Sequence, residues 1–368
     1  MAISILNYYE QPDGKNLMIM ADNLYERNPG EAPDDNMPMD PTNYAISQNL
    51  GVPADGSITI VRDFDENKKI KTVANVFKDG EWKDAAEGGG SGEKSIAAQI
   101  VDRSVTNVTA RDLNGITKIG SYAFGNCRNL TGISIPEGVT RIGERAFYNC
   151  SDLSNIIIPN SVTYIDWYAF YKCTSLLNIT IPDSVTLIDQ HAFESSGLTE
   201  VTIGNGPITI GQYSFSGCNS LIKVTILDNV IDIVDAAFYN CRRLTSVTLP
   251  NNLKIINNSL FAQCQSLPNI TIPDSVTDIK ENAFGNCLAL ETVVMGNSLT
   301  NIGLRAFVGC IKLSSVKMLP MTPPTLGSNA FYDASVDLKI IVPKGTLNAY
   351  KTATNWSAYA DKMVETDE

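Results

Sequence analysis

The repeat that decides the fold is complete in "LTGISIPEGVTRIGERAFYNC", Leu130–Cys150. Its phenylalanine returns ten times, at intervals of 22 to 24 residues. Apolar residues occupy every second position of part of each unit, the pattern of a strand with one buried face. Because so short a unit cannot bury its own apolar face, the copies are expected to stack in register as a solenoid. The phenylalanines are Phe124, Phe147, Phe170, Phe193, Phe215, Phe238, Phe261, Phe284, Phe307 and Phe331.

The eight cysteines all lie three residues after a repeat phenylalanine. Zinc sites need closely paired ligands, commonly with histidine, and this chain has one histidine and no C-x-x-C pair. Disulfides between neighbouring coils would have no unique pairing in the run from 218 to 310. Packing as small buried apolar groups is therefore the favoured interpretation. The cysteines are Cys127, Cys150, Cys173, Cys218, Cys241, Cys264, Cys287 and Cys310.

One coil supports packing because it loses its cysteine together with its turn length. The stretch "AFESSGL", Ala192–Leu198, has Ser196 in the cysteine position and is one residue short before its leucine. The last copy has Ala334 in the same position. A residue that fills a slot is expected to change with the geometry of the turn, whereas a cross-linking residue is not.

The pattern L-x-x-I-x-I-P-x-x-V-T-x-I-G-x-x-A-F-x-x-C resembles the BspA-like (Treponema-type) leucine-rich repeats over about residues 100–345. The resemblance implies a mainly β leucine-rich-repeat solenoid of about ten 23-residue coils. The stretch from 100 to 120 resembles a degenerate first coil, in which Val105, Val108 and Ala110 replace Leu, Ile and Ile. Known members of the family are mostly bacterial surface proteins and adhesins that bind host or matrix proteins and are not enzymes.

The chain divides into four predicted parts: an N-terminal attachment or oligomerisation module (1–86), a Gly-rich linker (87–94), the solenoid (95–318), and the last repeat with a C-terminal cap (319–368). The cap is expected to be a strand followed by a short helix starting near Gly345 or Thr346. Its Leu347, Tyr350 and Trp356 would cover the open end of the solenoid, which is otherwise an aggregation-prone edge.

The N-terminal module is predicted to be small and β-rich. Ser57–Phe64 and Lys69–Phe77 have strand-like patterns, and Asp79-Gly80 predicts a tight hairpin. The stretch "EGGGSGEK", 87–94, has the composition of a flexible linker. A β module, a glycine link and a repeat body together are typical of a phage fibre.

Composition lowers the expectation for several classes of function. The net charge of −12 repels nucleic acid, no run of apolar residues is long enough for membrane insertion, and the first residues do not resemble a signal peptide. The single histidine, His191, supports no Ser-His-Asp arrangement, and the acidic residues at 63–67 lack the pattern of an EF-hand. No catalytic residue, cofactor or metal is therefore predicted.

The predicted binding surface is a column of residues two positions before each phenylalanine, which stacking would place about 4.8 Å apart. The column contains Tyr122, Arg145, Tyr168, His191, Tyr213 and Ala236, with further aromatic residues beside it. Aromatic and arginine clusters commonly anchor protein partners, and such rings can also stack on sugars. The alternative is that the rings only stack on one another and stabilise the fold. The predicted binding residues are Arg145, Tyr164, Trp167, Tyr168, Tyr171, His191 and Tyr213.

Two functional hypotheses follow. The first is a phage or appendage fibre component, located in the virion, that binds a protein or glycan receptor on a bacterial surface and forms a homo-oligomer through its N-terminal module. The second is a bacterial cell-surface or secreted adhesin with the same repeats. Both are recognition proteins without enzymatic activity.

Overall fold

The computed structural model describes residues 103–113, 116–203 and 206–366 in full, and the backbone of five strands nearer the N-terminus. Those strands are β1 (Ile3–Glu10), β2 (Asn16–Met20), β3 (Ile58–Phe64), β4 (Ile70–Lys78) and β5 (Glu81–Asp84). They form one sheet in the order β2-β1-β3-β4-β5, in which only β1 and β3 are parallel.

This sheet confirms the two predicted strands near residues 57–64 and 69–77, which are β3 and β4. β4 pairs antiparallel with β5, and Lys78 lies opposite Glu81. The predicted tight turn at Asp79-Gly80 and the predicted linker, 87–94, lie outside the described residues.

The repeat part is a mainly β solenoid, as the periodicity predicts, and its strands are short. Most coils contribute one strand to a first side of the solenoid and one to a second side. In chain order they are β6 (Asn107–Val108), β7 (Lys118–Ile119), β8 (Gly132–Ser134), β9 (Arg141–Ile142), β10 (Asn155–Ile157), β11 (Tyr164–Ile165), β12 (Leu187–Ile188), β13 (Glu200–Ile203), β14 (Ile208–Ile210), β15 (Lys223–Ile226), β16 (Val230–Ile233), β17 (Ser246–Thr248), β18 (Ile255–Ile256), β19 (Asn269–Thr271), β20 (Asp278–Ile279), β21 (Thr292–Met295), β22 (Asn301–Ile302), β23 (Ser315–Met318), β24 (Thr325–Leu326) and β25 (Lys339–Val342).

Neighbouring coils pair in parallel, with equivalent residues opposite each other. Ile133 lies opposite Ile156 on the first side, and Ile119 lies opposite Ile142 on the second. The first side consists of β6, β8 and β10, then β13, β15 and β17, then β19, β21, β23 and β25; the second consists of β7, β9, β11, β12, β14 and β16, then β18, β20, β22 and β24. The in-register stacking predicted from the repeat is therefore present.

The third side of each coil is a tight turn that contains the repeat phenylalanine. Its backbone N–H groups donate alternately within the coil and to the next coil: Cys127 N donates to Phe124 O (2.9 Å), and Phe124 N donates to Ala146 O (2.8 Å). The residues two before and two after the phenylalanine have positive φ, as at Tyr122 (57°) and Asn126 (62°). Asparagine tolerates this conformation better than most residues, which explains its frequency just before the cysteine.

The core is built from stacked identical residues. The ten phenylalanines are buried, with neighbouring ring centroids 5.0 to 5.6 Å apart and planes within 17° of parallel. All eight cysteines are free and buried. Seven of them donate an Sγ–H···O hydrogen bond to the phenylalanine carbonyl of the preceding coil, at 3.0 to 3.3 Å. The packing interpretation of the cysteines is thus confirmed, and burial raises the pKa of the Cys173 and Cys218 thiols.

The coil that lacks a cysteine is closed by a glycine. Gly197 donates its N–H to Cys173 O (3.1 Å), and a Cβ at this residue would lie 2.0 Å from Thr174 O. Ser196 is buried in the cysteine position, with its Oγ 3.3 Å from Cys218 Sγ. The shortened turn therefore requires glycine, and serine fills the slot.

The strand ladders are interrupted at three places. On the first side, the coil between β10 and β13 contributes no strand. Further along that side, Pro268 has no N–H at the position where Thr245 donates to Ile222 O (2.9 Å), and the ladder stops between β17 and β19. On the second side, the Asn257 side-chain Nδ2 donates to Ile233 O (2.7 Å), and β16 and β18 are unpaired. The repeat pattern predicts none of these interruptions.

The first coil of the solenoid differs partly from expectation. Val105 and Val108 are buried as predicted for a first coil, but Ala110 is exposed. The chain turns there, because Asp112 Oδ2 accepts hydrogen bonds from Thr109 N (2.8 Å) and Thr109 Oγ1 (2.7 Å). Leu113 is the next buried residue.

The C-terminal cap follows its predicted order of strand and helix. Helix α1 (Leu347–Thr352) follows β25, and a 3₁₀ helix spans Trp356–Lys362. Tyr350 and Trp356 are fully buried, and Trp356 lies 6.2 Å from the Phe331 ring, at the end of the phenylalanine stack. A final strand not predicted from sequence, β26 (Met363–Glu365), pairs in parallel with β25.

Candidate binding site

Five side chains on the turn side form one planar stack: Tyr122, Arg145, Tyr168, His191 and Tyr213. The Arg145 guanidinium carbon lies 5.2 Å from the centroids of both the Tyr122 and Tyr168 rings. Tyr168 stacks on His191 (4.6 Å, 5°), which stacks on Tyr213 (5.1 Å, 10°). These are five of the six residues of the predicted column; the sixth, Ala236, has no planar group to add. The stacking proposed as the alternative interpretation of the column is observed.

The planar stack is held in a costly backbone conformation. All five residues have φ between 53° and 58°, a region in which bulky side chains cost about 1–3 kcal/mol each. Tyr168 N donates to Gln190 O (3.2 Å) and His191 N donates to Gln212 O (3.0 Å), so the ladder between coils fixes this conformation. The sequence spacing predicts the stack but not the backbone that carries it.

A second row of rings supports the first. Tyr148 stacks on Tyr171 (5.0 Å, 14°), and Tyr171 meets Tyr168 edge-on (5.2 Å, 81°). Lys172 Nζ lies 5.0 Å from the Tyr171 centroid, and Trp167 lies beside Tyr168 (5.3 Å, 34°). Each of these rings therefore contacts at least one other planar group.

The structure corrects the expectation that the column is a solvent-exposed surface. Arg145 and Tyr168 are buried, at 5 % and 7 % exposure. Trp167, Tyr171, His191 and Tyr213 are half-buried. Tyr164, at 42 %, is the one exposed ring among the seven predicted residues, and it lies on β11 under Arg141 (5.6 Å). Burial follows because each side chain is covered by the equivalent residues of the coils on both sides.

Polar groups around the stack are closely paired. Arg145 Nη1 forms an ion pair with Glu144, and Arg141 Nε forms one with Asp166, each at 2.5 Å. His191 Nδ1 is hydrogen-bonded to Glu194 at 2.5 Å. Burial raises the pKa of the Asp166 carboxyl although Arg141 opposes the shift, while the hydrogen bond to Asp166 raises the pKa of Arg141. Burial likewise raises the pKa of Tyr168 to about 12.

Two buried donors in this cluster have no hydrogen-bond acceptor: Arg145 Nη2 and Trp167 Nε1. They belong to contacting side chains, since the Arg145 guanidinium carbon lies 5.6 Å from the centroid of the Trp167 ring. A buried donor without a partner costs about 1–3 kcal/mol, and native proteins contain few of them. Sequence spacing could not have identified these donors, because their burial depends on several coils.

The cluster combines aromatic faces, buried N–H donors and paired polar groups. Within the described residues no group of three His, Cys, Asp or Glu could hold a metal ion. His191, the only histidine, is sandwiched between two tyrosines and paired with Glu194. In the same part of the chain, no helix has the length and apolar character needed to cross a bilayer.

The fold and this cluster define a leucine-rich-repeat type of solenoid, in which equivalent side chains of successive coils stack on one another. The chain belongs to the BspA-type leucine-rich repeat family, whose model matches residues 102–222 and 208–339. This identifies the family that the repeat pattern resembles.

Several solved structures are similar to the chain. A leucine-rich cell surface protein from Faecalibacterium prausnitzii is 29 % identical over 60 % of this chain and 68 % of its own, with a TM-score of 0.39. A leucine-rich repeat protein from T. pallidum is 29 % identical over 54 % and 73 %, with a TM-score of 0.33. One from Bacteroides ovatus is 25 % identical over 68 % and 88 %, with a TM-score of 0.38. None of the curated proteins is detectably similar in sequence.

Proposed function

We propose that this protein is a non-enzymatic recognition protein, displayed outside a bacterial cell or on an appendage, that binds a receptor with the aromatic part of its solenoid. The observation that carries the proposal is the planar stack with its flanking rings. Rigid aromatic and arginine side chains lose little conformational entropy on binding, and such groups dominate interface energetics. Membership of a leucine-rich repeat family, typically a non-enzymatic binding scaffold, supports the same function.

The partly exposed rings are the residues proposed to contact the receptor. Tyr164 is exposed, and Trp167 and Tyr171 are half-buried at neighbouring positions of the same coil. Arg145 and Tyr168 both contact Trp167, and Tyr168 also contacts Tyr171. Tyr164 lies under Arg141. We therefore assign the contact role to the first three and a positioning role to Arg145 and Tyr168.

The test is binding of the purified, labelled protein to a panel of bacterial and animal cells. Wild type is expected to bind at least one cell type saturably, and replacing Tyr164, Trp167 and Tyr171 with Ser is expected to weaken binding at least tenfold. A matched control replaces Met321, Tyr332 and Val336, which are 58–83 % exposed at the other end of the solenoid. Equal loss in both variants, with both folded by circular dichroism, would reject the assignment.

The fibre and surface-adhesin forms of the proposal differ in their oligomeric state. A fibre component requires a stable dimer or trimer through residues 1–86, whereas an adhesin with the same solenoid does not. Light scattering of the full chain at micromolar concentration distinguishes them. A monomer would contradict the fibre hypothesis and its virion location, and a stable trimer would favour it.

A further inference from the structure

The corner between the second strand side and the turn side, around Trp167, has features that the recognition proposal does not use. Trp167 occupies the position three residues before the phenylalanine, and the same position holds Glu144 in the preceding coil and Gln190 in the following one. Gln190 is exposed, whereas Glu144 and Trp167 are half-buried. An aromatic ring is thus flanked, one coil away on each side, by planar polar groups.

The two unpartnered donors lie at this corner. Arg145 Nη2 and Trp167 Nε1 are both buried without an acceptor, although the other Arg145 terminal nitrogen is satisfied by Glu144. Buried donors without partners are rare, and one explanation for their retention is a ligand that supplies the missing acceptor. A ligand oxygen within reach of both N–H groups would accept from both.

Charge and shape narrow the class of ligand. Arg145 is neutralised by Glu144, and Arg141 by Asp166, so the ion pairs of the corner carry no net formal charge. An anion gains little from a site whose cations are already paired. The face of an aromatic ring is electron-rich and attracts the polarised C–H groups of a flat, weakly polar ring. A sugar ring presents such a face together with acceptor oxygens, whereas an apolar peptide side chain offers no acceptor.

We propose that the Trp167 corner binds a neutral oligosaccharide, one sugar ring lying on Trp167 and a sugar oxygen accepting hydrogen bonds from Trp167 Nε1 and Arg145 Nη2. This inference rests on the proposed recognition function and names its ligand class. Because atoms of the protein cover both donors, this contact requires the half-buried Trp167 side chain to shift enough to admit the sugar oxygen while its N–H stays beside Arg145. Gln190 then hydrogen-bonds hydroxyl groups of the neighbouring sugar.

The experiment titrates the full chain with cellotetraose, maltotetraose, mannotetraose and chitotetraose, using calorimetry and tryptophan fluorescence. At least one of these sugars is expected to bind and to change the fluorescence. Trp167→Ala should weaken that binding at least tenfold. Trp167→Phe keeps the ring face and loses the N–H, so it should weaken binding about threefold to tenfold. Leu304→Ala is the matched control, because Leu304 occupies the same position six coils away and is 39 % exposed.

The outcomes separate this inference from the proposal beneath it. If wild type binds cells but none of the four sugars, the neutral-sugar inference is overturned and the recognition function stands. Equal sugar affinity in wild type and Trp167→Ala also overturns it, as does tighter binding of tetragalacturonate, an acidic sugar. Binding of a cell-surface protein that all four sugars fail to displace would assign the corner to a protein partner instead.

Discussion

The phenylalanine stack allows a quantitative test of how coils stabilise one another. Phe215 and Phe238 are both buried, with ring centroids 5.3 Å apart and planes 7° from parallel. Phe238 also stacks on Phe261 at 5.6 Å. Replacing Phe238 with Leu keeps an apolar side chain and removes two ring contacts, each about 0.5–1.5 kcal/mol. Repacking adds up to about 1.5 kcal/mol, so we expect the free energy of unfolding to fall by about 1–4 kcal/mol.

The double variant carries the sharper prediction. Phe215 and Phe238 share one ring contact. Each single substitution to Leu removes that contact, so the sum of the two single effects counts it twice, whereas the double variant loses it only once. The double variant should therefore be about 1 kcal/mol less destabilised than the sum of the two single variants. Phe147→Leu and Phe284→Leu lie six coils apart and should add to within about 0.5 kcal/mol.

Unfolding in urea is monitored by circular dichroism. The free energies of unfolding of all variants are compared with one shared slope against urea concentration. Val336→Ala is the surface control, because Val336 is 83 % exposed, and it should change the free energy of unfolding by less than about 0.5 kcal/mol. Equal coupling in the adjacent and distant pairs would refute the nearest-neighbour description of this solenoid.

Three further predictions concern single features. Without reductant, titration of the unfolded protein with a thiol reagent should find eight free thiols. The native protein should react slowly with the same reagent at pH 8, because burial raises the pKa of thiols such as Cys173. Fewer than eight thiols after unfolding would mean that some cysteines are cross-linked. Gly197→Ala should destabilise far more than Gly138→Ala, because a Cβ at 197 would lie 2.0 Å from Thr174 O, whereas the space at 138 is open and only its φ of 97° is unfavourable; urea midpoints decide the order. Folding raises the pKa of Tyr168 from 10.0 to about 12, so the unfolded chain ionises first and stability should fall as pH rises from 10 towards 12, by up to about 2 kcal/mol; Tyr168→Phe should lack this part of the decline.

Most of the solenoid could be predicted because each coil repeats the same sequence pattern and contacts only the coils next to it. Phe124 and Phe147 are 23 residues apart, so in-register stacking must place them one above the other. The same reasoning brought the cysteines into one buried column and Tyr168, His191 and Tyr213 into contact. It failed at Ala110, where the Thr109–Asp112 hydrogen bonds turn the chain away from the core.

Sequence spacing predicted which side chains of the candidate site stack on one another, but it did not predict how far each of them is buried. Sequence spacing identifies neighbours along a column, but it does not show how far each side chain reaches around the coil. Arg145 is buried because Tyr122, Trp167 and Tyr168, from three different coils, surround its guanidinium. The unpartnered donors at Arg145 and Trp167 follow from the same enclosure.

By itself, the sequence determined the repeat length, the register of the coils, the inward residues and the order of strand and helix in the cap. These depend on period and alternation, which every copy repeats. Tertiary structure alone decided the interruptions at Pro268 and Asn257, the final strand β26, and the balance of buried and exposed rings around Trp167. Those features depend on which atoms of different coils come into contact, and the sequence of a single repeat does not specify those contacts.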